Sequence, residues 1–388
     1  MVEGAALEKQ CAGNGTESSN LSPSAIDRWP QIRYSMSTMT NTERVSDFSP
    51  TEIWTPRSDD LDQYIELARY ELNRKNPKKL IHNLKHKVER WDNGVVYAIL
   101  DGDKPNQYSK TDALVLFNPH ANTATANMLI RTEFIRTAAR LADVRDDQGK
   151  LKPVIMLAMP GLVRGSSLHL TRQERKLIKN GQLGPAAKEY LNTVSYLGFG
   201  RVALRGASEG ADMALSAGRH AYSSNLDVES LAAGDVVGVE NRRLPKLALD
   251  FLSSGESFQA SVEASDIRAQ RKAVGAKPYS LARNIDLAQF AISIPYRTNW
   301  NLLNGISQDS FADQMRGLLV EGKIDKIAVA YGGEEDTITK PKAIEPSMND
   351  LYHEYGPDSF TSIKIQGVGH GWGDELPLLA KFYMLGLV

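Results

Sequence analysis

Gly206-Ala207-Ser208-Glu209-Gly210 stands between a short apolar run, Arg201-Val202-Ala203-Leu204, and a run of helical pattern, Ala211-Asp212-Met213-Ala214-Leu215-Ser216-Ala217-Gly218. The order is strand, tight turn, helix, with a serine at the apex. A G-x-S-x-G turn in this setting holds its serine in a strained backbone conformation and projects the hydroxyl above the end of a sheet. Glycine is required on either side, because a Cβ two residues from the apex would collide with the adjoining strand or helix.

The rest of the chain repeats the alternation that this turn demands. Val95–Leu100, Ala113–Phe117, Val154–Ala158, Val228–Ala233, Ile327–Tyr331 and Ser362–Ile365 read as strands. Ala113-Leu114-Val115-Leu116-Phe117 is continuously apolar, as expected for a strand covered on both faces. Helical patterns fall over 124–142, around Ala186–Leu191 and over 378–387, where Pro377 suits the first turn. Strands alternating with helices predict an α/β fold with a mostly parallel sheet flanked by helices. Residues 46–240 and 320–388 are assigned to this core. Residues 241–319 interrupt the rhythm and are expected to form a helical cap between the sixth and seventh core strands, the plainer reading being extra helices on the scaffold's flank.

Residues 1–45, rich in Ser, Thr, Asn, Gly and Glu without apolar periodicity, are expected to be a disordered leader. A helical pattern begins near Ser58, with Ser58-Asp59-Asp60 as its cap. His82, His86 and Glu89 are spaced one helical turn apart in a lysine-rich stretch, which reads as a solvated surface helix rather than a metal site.

With a formal net charge of −1, no global field favours nucleic acid or an anionic membrane. Cys11 is the single cysteine, so no internal disulfide forms. No run approaches membrane-spanning length and the opening residues carry no basic start before an apolar stretch, so a cytoplasmic location is expected. A Walker A loop, a Gly-x-Gly-x-x-Gly after a strand and a Cys/His ligand cluster are all missing from the sequence, so neither cofactor nor metal is expected.

A serine at an elbow needs a base. His370 fits, in Gly367-Val368-Gly369-His370-Gly371-Trp372-Gly373 after the last strand, where glycines allow a tight loop over the sheet edge. The base needs an acid. Asp336, directly after the strand Ile327–Tyr331, is the first choice; Glu334 and Glu335 are neighbours able to serve, and Asp235 is the more distant rival. The oxyanion needs two backbone donors, expected from the amide of Glu209 and from Ala121 in the loop Asn118-Pro119-His120-Ala121-Asn122. His120 shapes that loop, and Arg164, after the strand Val154–Ala158, is a possible pocket residue for an anionic substrate group.

From about Val95 onward the chain resembles the α/β-hydrolase superfamily. The resemblance rests on Gly206-Ala207-Ser208-Glu209-Gly210, on the order serine, acid, histidine, and on Pro119-His120-Ala121. In that superfamily the nucleophile follows the fifth core strand, the acid usually the seventh and the histidine the eighth, positions matched here by Ser208, Asp336 and His370. The chain departs from the pattern at His120-Ala121, where the superfamily often has His-Gly. The resemblance implies a serine hydrolase acting on a small-molecule ester or thioester. Amide or peptide cleavage by the same triad is the alternative, and so is a catalytically silent fold used for binding or assembly.

Overall fold

The computed structural model describes residues 51–54, 88–100, 108–117, 144–159, 168–243, 245–247, 250, 297–308, 311–321, 324–333, 336–365 and 370. The leader over 1–45, the helix read from Ser58, the helices read over 124–142 and 378–387, and residues 251–296 of the expected cap lie outside them.

Nine strands make one sheet: β1 (Thr51–Trp54), β2 (Val88–Arg90), β3 (Val96–Leu100), β4 (Asp112–Phe117), β5 (Val154–Leu157), β6 (Arg201–Ala207), β7 (Asp227–Gly234), β8 (Ile324–Gly332) and β9 (Phe360–Ile365). Their spatial order is β1-β9-β8-β7-β6-β4-β5-β3-β2. From β5 across to β1 every neighbouring pair is parallel, and antiparallel pairing is confined to β3 with β5 and β2 with β3. Seven of these strands coincide with the apolar runs of the sequence, and Leu114, Leu116 and Phe117 are completely buried, as a strand covered on both faces requires.

The described helices are α1 (Arg172–Lys179), α2 (Gly184–Tyr196), α3 (Glu209–His220), α4 (Arg297–Ile306), α5 (Phe311–Glu321) and α6 (Pro341–Tyr355). Thr171 and Glu174 cap α1 reciprocally, each side chain bonding the other's backbone N–H, and Pro185 sits in the first turn of α2. Helix α2 packs on α3, α3 on α5, and α5 on α6, which leans on β9; α4 packs on α1. Of the stretch expected to form a cap, α4 and α5 therefore rest against other helices of the scaffold. Among the described residues no helix is long and apolar enough to cross a membrane.

Helix α3 explains the small residues after the elbow. Every residue from Glu209 to Gly218 is buried, because α3 lies between the sheet and α5. A Cβ on Gly218 would stand 2.7 Å from Leu318 Cδ1 and 2.9 Å from both Ile324 Cδ1 and Leu231 Cδ1. A side chain there would have to displace the tips of these three residues, from α5, β8 and β7.

Glu89 belongs to strand β2 rather than to a surface helix, and accepts a hydrogen bond from the Tyr97 hydroxyl at 2.5 Å. The turn Asp92-Asn93-Gly94 folds β2 back on β3: Gly94 takes φ 87°, Trp91 N donates to Val95 O, and Asn93 Nδ2 ties the turn to Glu189 O of α2. The turn and its left-handed glycine place Glu89 in this hairpin. His82 and His86 themselves lie outside the described residues.

His220, at the end of α3, is one group through which acid acts on the fold. Its Nε2 stands 2.4 Å from where a Cβ on Gly184 would be. Burial first, then the charges of Lys188 and Arg219, lowers its pKa below 6.5. The unfolded chain takes up this proton at the ordinary value while the folded chain resists, so the neutral ring contributes stability above pH 6.5 that is lost as pH falls through the lowered value. His220→Gln is expected to flatten the decline of the urea midpoint between pH 7 and pH 5; an unchanged decline would place the sensitivity elsewhere.

Candidate active site

Strand β6 ends at Ala207, and Ser208 turns the chain into α3 with φ 53° and ψ −130°, a conformation costing a side-chain-bearing residue about 1–3 kcal/mol. The turn is closed tightly. Ser208 N donates to Gly234 O of β7 at 2.9 Å, Ala211 N donates back to Ser208 O at 2.8 Å, and a Cβ on Gly206 would lie 2.1 Å from the carbonyl oxygen of Gly210. Glu209 is the first residue of α3, so its amide sits at the positive end of that helix.

Ser208 Oγ lies 3.3 Å from Nε2 of His370. Two carboxylates approach the other ring nitrogen: Asp235 Oδ1 at 3.1 Å and Asp336 Oδ2 at 3.7 Å from Nδ1. Ser208 is 8% exposed and the other three residues 1% each, so the cluster is shielded from bulk water and its charges are weakly screened. The sequence ranking put Asp336 first and Asp235 as the distant rival, whereas the separations put Asp235 nearer.

Each acid is fixed by its own strand end. Asp235 follows β7 directly, takes φ 56°, and donates its N–H to Ala330 O of β8 at 2.8 Å. Asp336 sits in the turn after β8, where its Oδ1 accepts from the amides of Ile338 (2.8 Å) and Thr339 (2.7 Å) while Oδ2 points to the imidazole. Thr339 Oγ1 donates in turn to Val236 O, beside Asp235.

Arg242 completes the seam and was not legible as functional. Buried beneath the surface, it donates to Glu240 Oε2 (2.9 Å), Asp250 Oδ2 (2.9 Å) and the carbonyl of Thr337 (3.0 Å), so it joins the segment after Asp235 to the residue after Asp336. Nothing in the sequence marks Arg242, and only its position between two strand ends shows which segments it joins. Arg242→Gln is expected to cost about 2 kcal/mol, a figure reduced for the partial exposure of Glu240, and to show as a lowered urea midpoint. A midpoint equal to wild type would mean that the two segments hold together without the guanidinium.

Asp212, one turn into α3, is a second residue that sequence reasoning passed over. Burial pushes its carboxyl well up.

Asp235, Asp336 and His370 offer three donor atoms within 4.8 Å of one another, residue types that could hold a divalent transition metal. A metal there would occupy Nδ1 and both carboxylates and remove them from proton transfer. Ala121, His120 and Arg164 lie outside the described residues, as do Glu334 and Glu335.

Counted from β2, the serine follows the fifth strand, Asp235 the sixth, Asp336 the seventh and the histidine the eighth, in a parallel sheet whose serine caps a strained strand-to-helix elbow. The strand order and the elbow are those of the α/β-hydrolase fold. The sequence matches no family model and no curated protein. Among solved structures, it is similar to a carboxylesterase from Bacillus subtilis (11% identity, 85% of this chain and 98% of that one, TM-score 0.47). It is similar also to the enol-lactonase of Burkholderia xenovorans LB400 (13%, 76% and 96%, TM-score 0.46) and to a proline iminopeptidase from Mycobacterium smegmatis (15%, 77% and 97%, TM-score 0.42). At these identities and TM-scores the likenesses carry no argument about chemistry, and the α/β-hydrolase fold stands on strand order and elbow.

Proposed function

We propose that this chain is a serine hydrolase that cleaves a carboxylic ester or thioester through an acyl-enzyme on Ser208. One observation carries the reading: the 3.3 Å separation between Ser208 Oγ and His370 Nε2, with carboxylate oxygen behind Nδ1. A serine hydroxyl is a poor nucleophile until a base accepts its proton. His370 accepts it at Nε2 as Oγ bonds to the carbonyl carbon, and the π pair moves onto oxygen. The amide of Glu209, at the start of α3, and that of Ala121 donate to this oxyanion. Collapse of the tetrahedral carbon breaks its bond to the alcohol or thiol, which departs with the proton held by His370. Water then attacks the acyl carbon, yields a proton to Nε2, and releases the carboxylic acid as Ser208 Oγ regains its hydrogen.

The carboxylate behind the ring fixes the tautomer that leaves Nε2 free to accept, and stabilises the imidazolium. His120 and Arg164 are proposed to border the acyl pocket. Protein groups and water complete the cycle, so the proposal includes no cofactor. Labelling of the purified protein with a fluorophosphonate, alongside hydrolysis of a p-nitrophenyl ester series, tests it. Both should require Ser208 and rise with pH as the imidazole loses its proton. A folded protein in which neither depends on Ser208 would overturn the reading.

A further inference from the structure

We infer that Asp235 and Asp336 act as a pair on His370, Asp235 as the nearer acceptor at Nδ1 and Asp336 as a second carboxylate that supports the ring when the first is missing. The inference rests on the serine-hydrolase reading above. In a triad of ordinary design one carboxylate meets one imidazole; here two buried carboxylate oxygens, at 3.1 Å and 3.7 Å, converge on the same nitrogen from the ends of different strands.

Three features show that neither acid is there by accident of loop position. Among the described residues only three other than glycine have positive φ: Ser208, Asn225 and Asp235. Asn225 ends a short turn of residues 222–224, whereas the other two are the nucleophile and the nearer acid. Aspartate tolerates the left-handed region better than most residues, yet the conformation still has to be held by its surroundings.

Asp336 is positioned differently. The amides of Ile338 and Thr339 hold Oδ1, leaving Oδ2 as the oxygen turned to the ring. The two segments are also sewn into one unit by Thr339 Oγ1 on Val236 O and by Arg242 on Thr337 O, so loss of one carboxyl does not release the other.

A neutral imidazole has one N–H to give at Nδ1, and the two acids compete for it. Once Nε2 has taken the serine proton, the imidazolium attracts both. Two like charges in one buried place oppose each other, and a cation between them relieves both. The pair therefore favours the protonated ring more than either acid alone. His370 is faced by Ser208 from the α3 side and by Asp235 and Asp336 from the ends of β7 and β8.

The test is the rate of fluorophosphonate labelling across pH for wild type, Asp235→Asn, Asp336→Asn and the double variant, with Ser208→Ala as the blank. In triads with a single acid the amide substitution costs on the order of 10⁴-fold. Here each single variant is expected to keep more than about one hundredth of the wild-type rate, and the double to show the full loss. The pH midpoint of labelling should fall in each single variant and fall further in the double, a shift that mere loosening of the loops would not produce.

A single variant as slow as the double would overturn the pair and name that residue the only acid, leaving the serine-hydrolase reading intact. Wild type without Ser208-dependent labelling would overturn both. Should Asp336→Asn fail to fold, Asp235→Asn decides alone: a loss of about 10⁴-fold sinks the pair, and a loss below about a hundredfold supports it.

Discussion

Ser208→Ala is expected to reduce fluorophosphonate labelling and p-nitrophenyl ester turnover by about 10⁴-fold or more, to the level of the blank reaction. The loss should fall on kcat, because the hydroxyl forms its bond to substrate only on the way to the transition state. Stability should not fall with it. Ser208 spends about 1–3 kcal/mol on φ 53° and ψ −130°, and alanine inherits that strain, whereas glycine escapes it. Ser208→Gly is thus expected to be equally inactive but more stable than Ser208→Ala, by about 1 kcal/mol after the greater freedom of glycine in the unfolded chain is counted. Urea midpoints of the two variants provide the comparison. An active Ser208→Ala protein would remove the nucleophile from the proposal; a Gly variant less stable than the Ala variant would show that the elbow is not strained.

Gly206→Ala carries the other large effect, and it acts on the fold. Its Cβ would stand 2.1 Å from Gly210 O, 2.5 Å from Gly210 C and 2.8 Å from Ala211 N. All three are backbone atoms of the first turn of α3, and that helix is buried along ten residues and cannot retreat without leaving the sheet. A clash with no soft partner is expected to cost at least about 4 kcal/mol, a large part of the 5–15 kcal/mol by which ordinary domains are stable. Soluble yield and the urea midpoint of Gly206→Ala measure this. A midpoint near that of wild type would mean that strand and helix meet less tightly than the elbow geometry requires.

Both effects were legible from five letters of sequence, because the elbow is a local device: strand, serine and helix are neighbours along the chain, and glycine spacing reports the contact between them. The buried strands were legible for a related reason, since a strand covered on both faces must be apolar throughout, as Ala113–Phe117 is. What escaped were features settled by meetings between distant segments. The preference for Asp336 over Asp235 followed strand counting, and strand counting does not say that both strand ends converge on one imidazole. Arg242 resembles any surface arginine until its three acceptors, from Glu240, Asp250 and Thr337, are seen around it. Strand β2 escaped because three residues give no periodicity, and the turn that creates it was outweighed by the histidine spacing before it.

The pairing of β1 with β9 has a consequence for how the protein is made. Thr51 lies opposite Ser362, so among the described strands β1 finds its one neighbour after more than three hundred further residues have been added. At ordinary rates of synthesis, about 5–20 residues per second, β1 waits tens of seconds with its hydrogen-bonding edges unmatched. Strands β6, β7 and β8, which lead to Ser208, Asp235 and Asp336, are laid down within that interval, and His370 arrives only behind β9. The imidazole is therefore the last of the four residues to be added to the chain.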